Sequence, residues 1–171
     1  MNNLFNMLKI LIALSLLGVV TINCSNPRTQ SGSDILGIAI GMSKEAATER
    51  LQEIGSLDRE ERKQQEIWTL NDDPHYSHVI LAYDKDKHVV RFITAKAREN
   101  GTRVSYGDVM DINNSKLTSS ANNYKYTQEV QAQGSAVGYT RIASGTDPKY
   151  LTYFSLKELH LPEQEVEEQK K

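Results

Sequence analysis

The sequence predicts an α+β fold in which short helices form one layer on an antiparallel sheet. Three observations point there. Lys44–Ile54 carries Ala47, Leu51 and Ile54 at spacings of four and three, the repeat of one helical face. Six other segments (66–70, 77–83, 88–97, 124–131, 136–143 and 150–159) are short, and most are rich in Val, Ile, Phe and Tyr or alternate in polarity. Polar turn chemistry separates them, and short links such as Asp84-Lys85-Asp86-Lys87 read as hairpin connections. Eight Tyr, three Phe and one Trp in 171 residues are enough large side chains for the core of one such domain.

The chain opens on Lys9 and an uncharged apolar run, Ile10–Val20. Eleven residues are too few to cross a bilayer as a helix, which needs about 20; the length is that of a signal-peptide core. Residues 1–23 are therefore read as a signal peptide. Cys24, the sole cysteine, follows at once. That placement resembles the lipobox of bacterial lipoproteins, and it implies that Cys24 is acylated (a palmitate-type anchor) and becomes the mature N-terminus. Thr21 and Asn23 stand where a lipobox more often has Leu and a small residue. An ordinary secretory signal or an uncleaved anchor is the competing reading. Residues 24–33 form the lipidated cysteine and a polar, flexible linker that reaches about 30 Å when extended. Ser25 after the cysteine, in place of Asp, implies outer-membrane delivery, with the domain on the periplasmic face or the cell surface.

Without the first 24 residues, 147 remain, with 19 basic residues against 22 acidic ones and a net charge of −3. Nucleic-acid binding normally needs a concentrated basic surface, so no nucleic-acid partner is expected. With no cysteine beyond Cys24, the core must come from packing alone.

The single α+β domain is placed at 34–161. Ser43 is an N-cap for the 44–54 helix, and Gly55 is placed to end it. The charged run 58–65 is expected to be a solvated loop or a helical extension. In 66–70, Ile67 and Thr69 face away from Trp68. Ser77–Tyr83 and His88–Ala97 form the clearest hairpin, and Trp68, Leu81 and Phe92 are expected to share a core beneath the helix. Further on, Gly107–Leu117 echoes Gly41–Leu51, with Val109 and Ile112 on a short helical face. Tyr124, Tyr126 and Val130 then line one side of a strand, and 136–143 pairs with 150–159. The order helix, strand, hairpin thus occurs twice, dividing the domain into 34–98 and 99–161 as a candidate tandem repeat. Residues 162–171 hold four Glu, two Lys and one apolar side chain, Val166, a composition expected of a disordered charged tail.

Residues 37–98 carry a family resemblance. Gly37-Ile38-Ala39-Ile40-Gly41-Met42-Ser43-Lys44 at a helix start, Trp68 on the following strand, and Tyr83-Asp84-Lys85-Asp86 in a hairpin resemble the BamE-like (SmpA/OmlA-type) outer-membrane lipoproteins. The resemblance implies a helical element on an antiparallel sheet, a lipid anchor and a scaffolding role in β-barrel assembly. In its tandem form the chain also resembles the β-lactamase-inhibitor-protein fold, whose members bind proteins.

Chemistry is sparse. The sequence has no nucleophile elbow, zincin motif or phosphate-binding glycine loop, and Cys24 is committed to lipid. Asp72-Asp73-Pro74-His75-Tyr76-Ser77-His78, with His88 across the hairpin, is the one suggestive cluster. Imidazoles and carboxylates are suitable Zn²⁺ ligands. A proline-containing turn does not hold His75 and His78 on one face, however, so both read first as exposed turn residues. No cofactor, metal or catalytic residue is expected. The sequence thus points to a non-catalytic, lipid-anchored interaction or scaffold protein with an envelope protein as partner. A small envelope hydrolase, a metal-binding protein or a ligand carrier is the alternative.

Overall fold

A computed structural model describes residues 33–61, 65–134 and 136–159. The expected signal peptide, Cys24, most of the expected linker and the 162–171 segment lie outside the described residues.

Among the described residues the first helix is α1 (Lys44–Ile54). The Ser43 hydroxyl accepts from the Ala46 amide at its start, as an N-cap should. Ala47 and Leu51 are its buried residues. Gly55 does end the helix, but with φ −164°, extended rather than left-handed. Its glycine requirement is steric: a Cβ there would lie 2.4 Å from the Thr69 carbonyl oxygen.

Four strands follow: β1 (Gly55–Glu61), β2 (Gln65–Leu70), β3 (Tyr76–Tyr83) and β4 (Val90–Ala97). After them come a single helical turn, α2 (Tyr106–Val109), and a 3-10 turn (Ile112–Asn114). The chain then adds β5 (Lys116–Ser120), β6 (Asn123–Val130), β7 (Tyr139–Gly145) and β8 (Tyr153–Glu158). Among the described residues these eight strands form one antiparallel sheet, ordered β1-β2-β3-β4-β8-β7-β6-β5. Each set of four is a meander, and the two meet along β4 and β8. The fold is therefore α+β, with an antiparallel sheet and, among the described residues, only two short helices.

Side chains paired directly across strands share a face, so two rows can be traced over all eight strands. Leu57, Trp68, Val79, Ala95, Phe154, Ala143, Tyr126 and Leu117 form one row. Its interior is buried and joins Ala47 and Leu51 of α1 in one core cluster, with Tyr106 and Val109 of α2. The opposite row is Arg59, Ile67, Ile80, Thr94, Ser155, Ile142, Thr127 and Lys116. No buried apolar side chain lies along it.

Four expectations are corrected. The charged run after the helix is strand β1, whose residues beyond Gly55 are exposed. An edge strand with water on both sides needs no alternation to be stable. His88 is not the start of a strand: it sits at φ 53° in the turn before β4, where its amide donates to the Asp84 carbonyl. Phe92 is outside the core. A register shift between Ala82 and Tyr83 pairs Ala82 with Phe92, which turns Phe92 to the opposite face and puts Ile93 beside Leu81. Finally, the helical echo in 107–117 stops at Val109; Lys116 and Leu117 are on β5, and Ile112 is 42 % exposed.

Candidate functional site

Among the described residues, no group of three His, Cys, Asp or Glu side chains is placed to hold a metal ion. His75 and His78 do not converge. His75 is exposed, with Nδ1 3.3 Å from the Thr102 carbonyl oxygen, while His78 lies with its Nδ1 2.9 Å from Ser77 Oγ. His88 belongs to the turn at the far end of β3, about seven residues of strand away, or ~23 Å. Asp73 is committed locally, its carboxylate accepting from the amides of His75 and Tyr76. Cys24 lies outside the described residues.

The most enclosed polar group is one the sequence reading passed over. Glu66 is 3 % exposed on β2, on the face of Trp68 and Leu70. Its Oε1 is 2.9 Å from Lys44 Nζ of α1. Its Oε2 accepts from Trp68 Nε1 and from the Tyr83 hydroxyl, both at 3.0 Å. Burial works against the charge, but the hydrogen bonds from Lys44, Trp68 and Tyr83 outweigh it and hold the carboxyl below the ordinary glutamate range. Lys44 is raised in return, chiefly by its hydrogen bond to Glu66. Burial, with the Glu66 charge beside it, pushes the Tyr83 hydroxyl well up. The alternation Glu66-x-Trp68-x-Leu70 was the available signal, because it places a carboxylate among core positions.

A cleft of about 330 Å³ opens beside this cluster, between α1 and the β1–β2 edge, with Thr48, Gln52, Ser56, Leu57 and Glu60 at its rim. Both carboxylate oxygens of Glu66 are engaged, so acting as a general base would require it to break the contacts that make its burial tolerable. The cluster ties α1 to β2 and β3; its chemistry is that of a fastener.

The other feature is the sheet face turned away from the helices. Its centre is small and polar: Thr94 and Ser155, 7 % and 8 % exposed, share a 2.7 Å hydroxyl–hydroxyl hydrogen bond across the β4–β8 seam. Half-buried Ile80 and Ile142 lie on either side in the same row. Phe92, half-buried, and Tyr153, 41 % exposed, stand in the neighbouring rows. A hollow of about 210 Å³ lies at one end, lined by Ala82, Arg91, Phe92, Lys157 and Glu158. Small residues at the centre with larger ones around them make a shallow, adaptable surface, suited to contact with another macromolecule.

Comparison of the chain with protein-family models, with curated proteins and with solved structures finds no match.

Proposed function

We propose that this chain is a lipid-anchored envelope protein, held by Cys24 at the outer membrane, that works as a non-catalytic interaction or scaffold module. The observation that carries the reading is the open eight-stranded face, about 35 Å across the strands at ordinary spacing. It combines exposed and half-buried aromatic and aliphatic side chains with a satisfied polar centre. That mixture suits a protein partner, because anchors such as Phe92 and Tyr153 can be desolvated without stranding a buried charge. In this reading the helices and sheet make two layers, and 34–98 and 99–161 are tandem units that join their meanders into one docking surface. The resemblance of residues 37–98 to BamE-like lipoproteins suggests β-barrel assembly as the setting.

The test is site-specific photocrosslinking of the full chain in its own membranes. A photoreactive residue at Ile80 or Ile142 should give a discrete protein adduct, and one at Gln52 on α1 should not. Adducts of equal yield at all three positions, or at none, would remove the assignment to this face. Fractionation of Cys24→Ser tests the anchor separately: the variant should leave the membrane with its circular dichroism unchanged.

A further inference from the structure

Among the described residues the sheet ends on two strands of opposite character, β1 and β5. An edge strand presents unpaired amides and carbonyls to any other strand, and proteins blunt such edges with charge, bulges or cover. β1 is blunted twice. It carries Asp58, Arg59, Glu60 and Glu61 in succession, and its register slips between Leu57 and Arg59. β5 has neither device. Its sequence, Lys116-Leu117-Thr118-Ser119-Ser120, holds one charge, at the first residue, and its register with β6 is unbroken. All five residues are exposed, Leu117 by 48 %.

The hairpin decides which backbone groups of β5 are open. Ala121 and Asn122 join the strands, and Ser120 pairs with Asn123 beside them. In a two-residue hairpin that closing pair exchanges its hydrogen bonds, and every second pair after it does the same. Lys116, Thr118 and Ser120 therefore bond to β6. The N–H and C=O groups of Leu117 and Ser119 point outward, where no strand lies among the described residues.

We propose that a second copy of this chain docks there, β5 against β5, antiparallel about a two-fold axis through Thr118. In that register Leu117 lies opposite the partner's Ser119, and Ser119 opposite the partner's Leu117. The four outward groups of each chain then meet their complements. Lys116 lies opposite the partner's Ser120, so the one charge of the strand meets no like charge. On the inner face the order across the joint becomes Tyr126, Leu117, the partner's Ser119 and the partner's Tyr124. Serine is small, which leaves that tyrosine room to lean toward Leu117. Tyr124 and Tyr126 already pack half-buried against the core, so the joint continues its apolar surface across the axis.

The β1 edge cannot pair with itself in this way. A two-fold axis through Arg59 sets Asp58 against Glu60, and an axis through Glu60 sets that carboxylate against its own copy. Assembly through β5 therefore closes at two copies and builds no filament. The inference does not rest on the proposed function.

Sedimentation velocity of the purified full chain, with detergent present throughout, should show a dimer that dissociates on dilution. Thr118 is exposed, so Thr118→Lys and Thr118→Glu should keep the fold, as circular dichroism would check. Each sets like charges across the axis and should weaken the dimer at least threefold, whereas an equimolar mixture of the two should recover it. As a second measurement, mild oxidation of Thr118→Cys should give a 118–118 bridge, because facing Cα atoms about 4.5 Å apart are within disulfide reach. Ser120→Cys should give no 120–120 bridge, since its two copies lie about 14 Å apart. A monomer at every concentration overturns the proposal, as does a dimer that both charged variants leave intact. Charged variants that stay monomeric when mixed, or equal bridging at 118 and 120, overturn it as well. Neither measurement reads the anchor or the adducts at Ile80 and Ile142, so either idea can fail alone.

Discussion

The two halves of the sheet have four strands each and differ in the helical element that precedes them. Before β1–β4 comes α1, eleven residues long, with Ala47 and Leu51 fully buried. Before β5–β8 the chain has only the four-residue α2 and a 3-10 turn, and Ile112 and Leu117 are 42 % and 48 % exposed. One transverse row makes the contrast concrete: it runs from Glu66 through Leu81, Ile93, Leu156 and Arg141 to Gln128. Under the longer helix the row ends in a buried carboxylate with donors on both oxygens. Toward the other end Arg141, half-buried, donates to Gln128 at 3.1 Å. A buried charge is tolerated only where cover is complete and donors converge. The first half meets both conditions and the second does not.

Two leucines on the inner face test this most strongly. Leu81 is fully buried on β3, so Leu81→Ala should cost about 2–5 kcal/mol. Leu117→Ala on β5 should stay within about 0.5 kcal/mol, because nearly half of its surface already meets water. Urea denaturation of both variants gives the comparison. Equal losses would mean that the second half is covered as fully as the first.

Next in size is the carboxylate itself. Glu66→Ala leaves Trp68 Nε1 and the Tyr83 hydroxyl without their acceptor inside the core, at a cost of about 2–4 kcal/mol. Gln128→Ala, on the same row, should cost about 1 kcal/mol or less. Thermal or denaturant melts decide between them, and a Glu66→Ala protein as stable as the parent would show that the fastener is dispensable.

How much of this was legible in the residues follows the same division. In the first half, α1, its Ser43 cap and the 79–81–83 alternation are strong signals, since each element has one wet face and one dry face. Strand β1 was missed because both its faces are wet and its Asp58–Glu61 charges carry no period. Phe92 was placed on the wrong face because a bulge at the turn reverses the alternation after Val90, and no local composition marks such a slip. In the second half, Lys116 and Leu117 were drawn into the helical echo of Gly107–Leu117 by analogy alone, while Tyr124–Val130 was recognisable from its own alternation. The lysines of the open face were hidden for a different reason. Net charge is a chain average, and only the register gathers Lys96, Lys125 and Lys157 onto one side.

A tyrosine pair gives a finer test. Tyr83 donates to a buried ionised carboxylate, whereas the Tyr106 hydroxyl donates to the Asp147 carbonyl from a ring whose centroid lies 4.8 Å from that of Tyr126, tilted by 46°. Hydrogen bonds to charged groups contribute about 1.5–3 kcal/mol and neutral ones about 0.5–1.5. Tyr83→Phe should therefore cost roughly twice as much as Tyr106→Phe in paired chemical melts, and the reverse order would undo the ranking of the two halves.

The smallest expected effect is a pH dependence, and its sign follows from Glu66. Its folded pKa lies below the unfolded value, near 4.3, so between the two the unfolded chain binds the extra proton. Stability from this group is fully present above that range and drains away as pH falls through the folded pKa. Lys44 contributes the opposite limb: its folded pKa is raised, so its share is present below about 10.4 and is lost as pH climbs through the raised value. Glu66→Gln removes both. The stability gap between parent and Glu66→Gln should be widest from pH 5 to 9 and narrow toward pH 2.5. The corresponding Gln128→Glu change in the second half places a carboxylate where Arg141 is half-buried and water is near. Its pH profile should be flatter than that of the parent's Glu66, because a solvated carboxylate keeps nearly the same proton affinity folded and unfolded. Urea melts at five pH values for the parent and both variants read this out. A gap that does not narrow in acid would mean that Glu66 is protonated in the native protein and that its place in the core needs no charge at all.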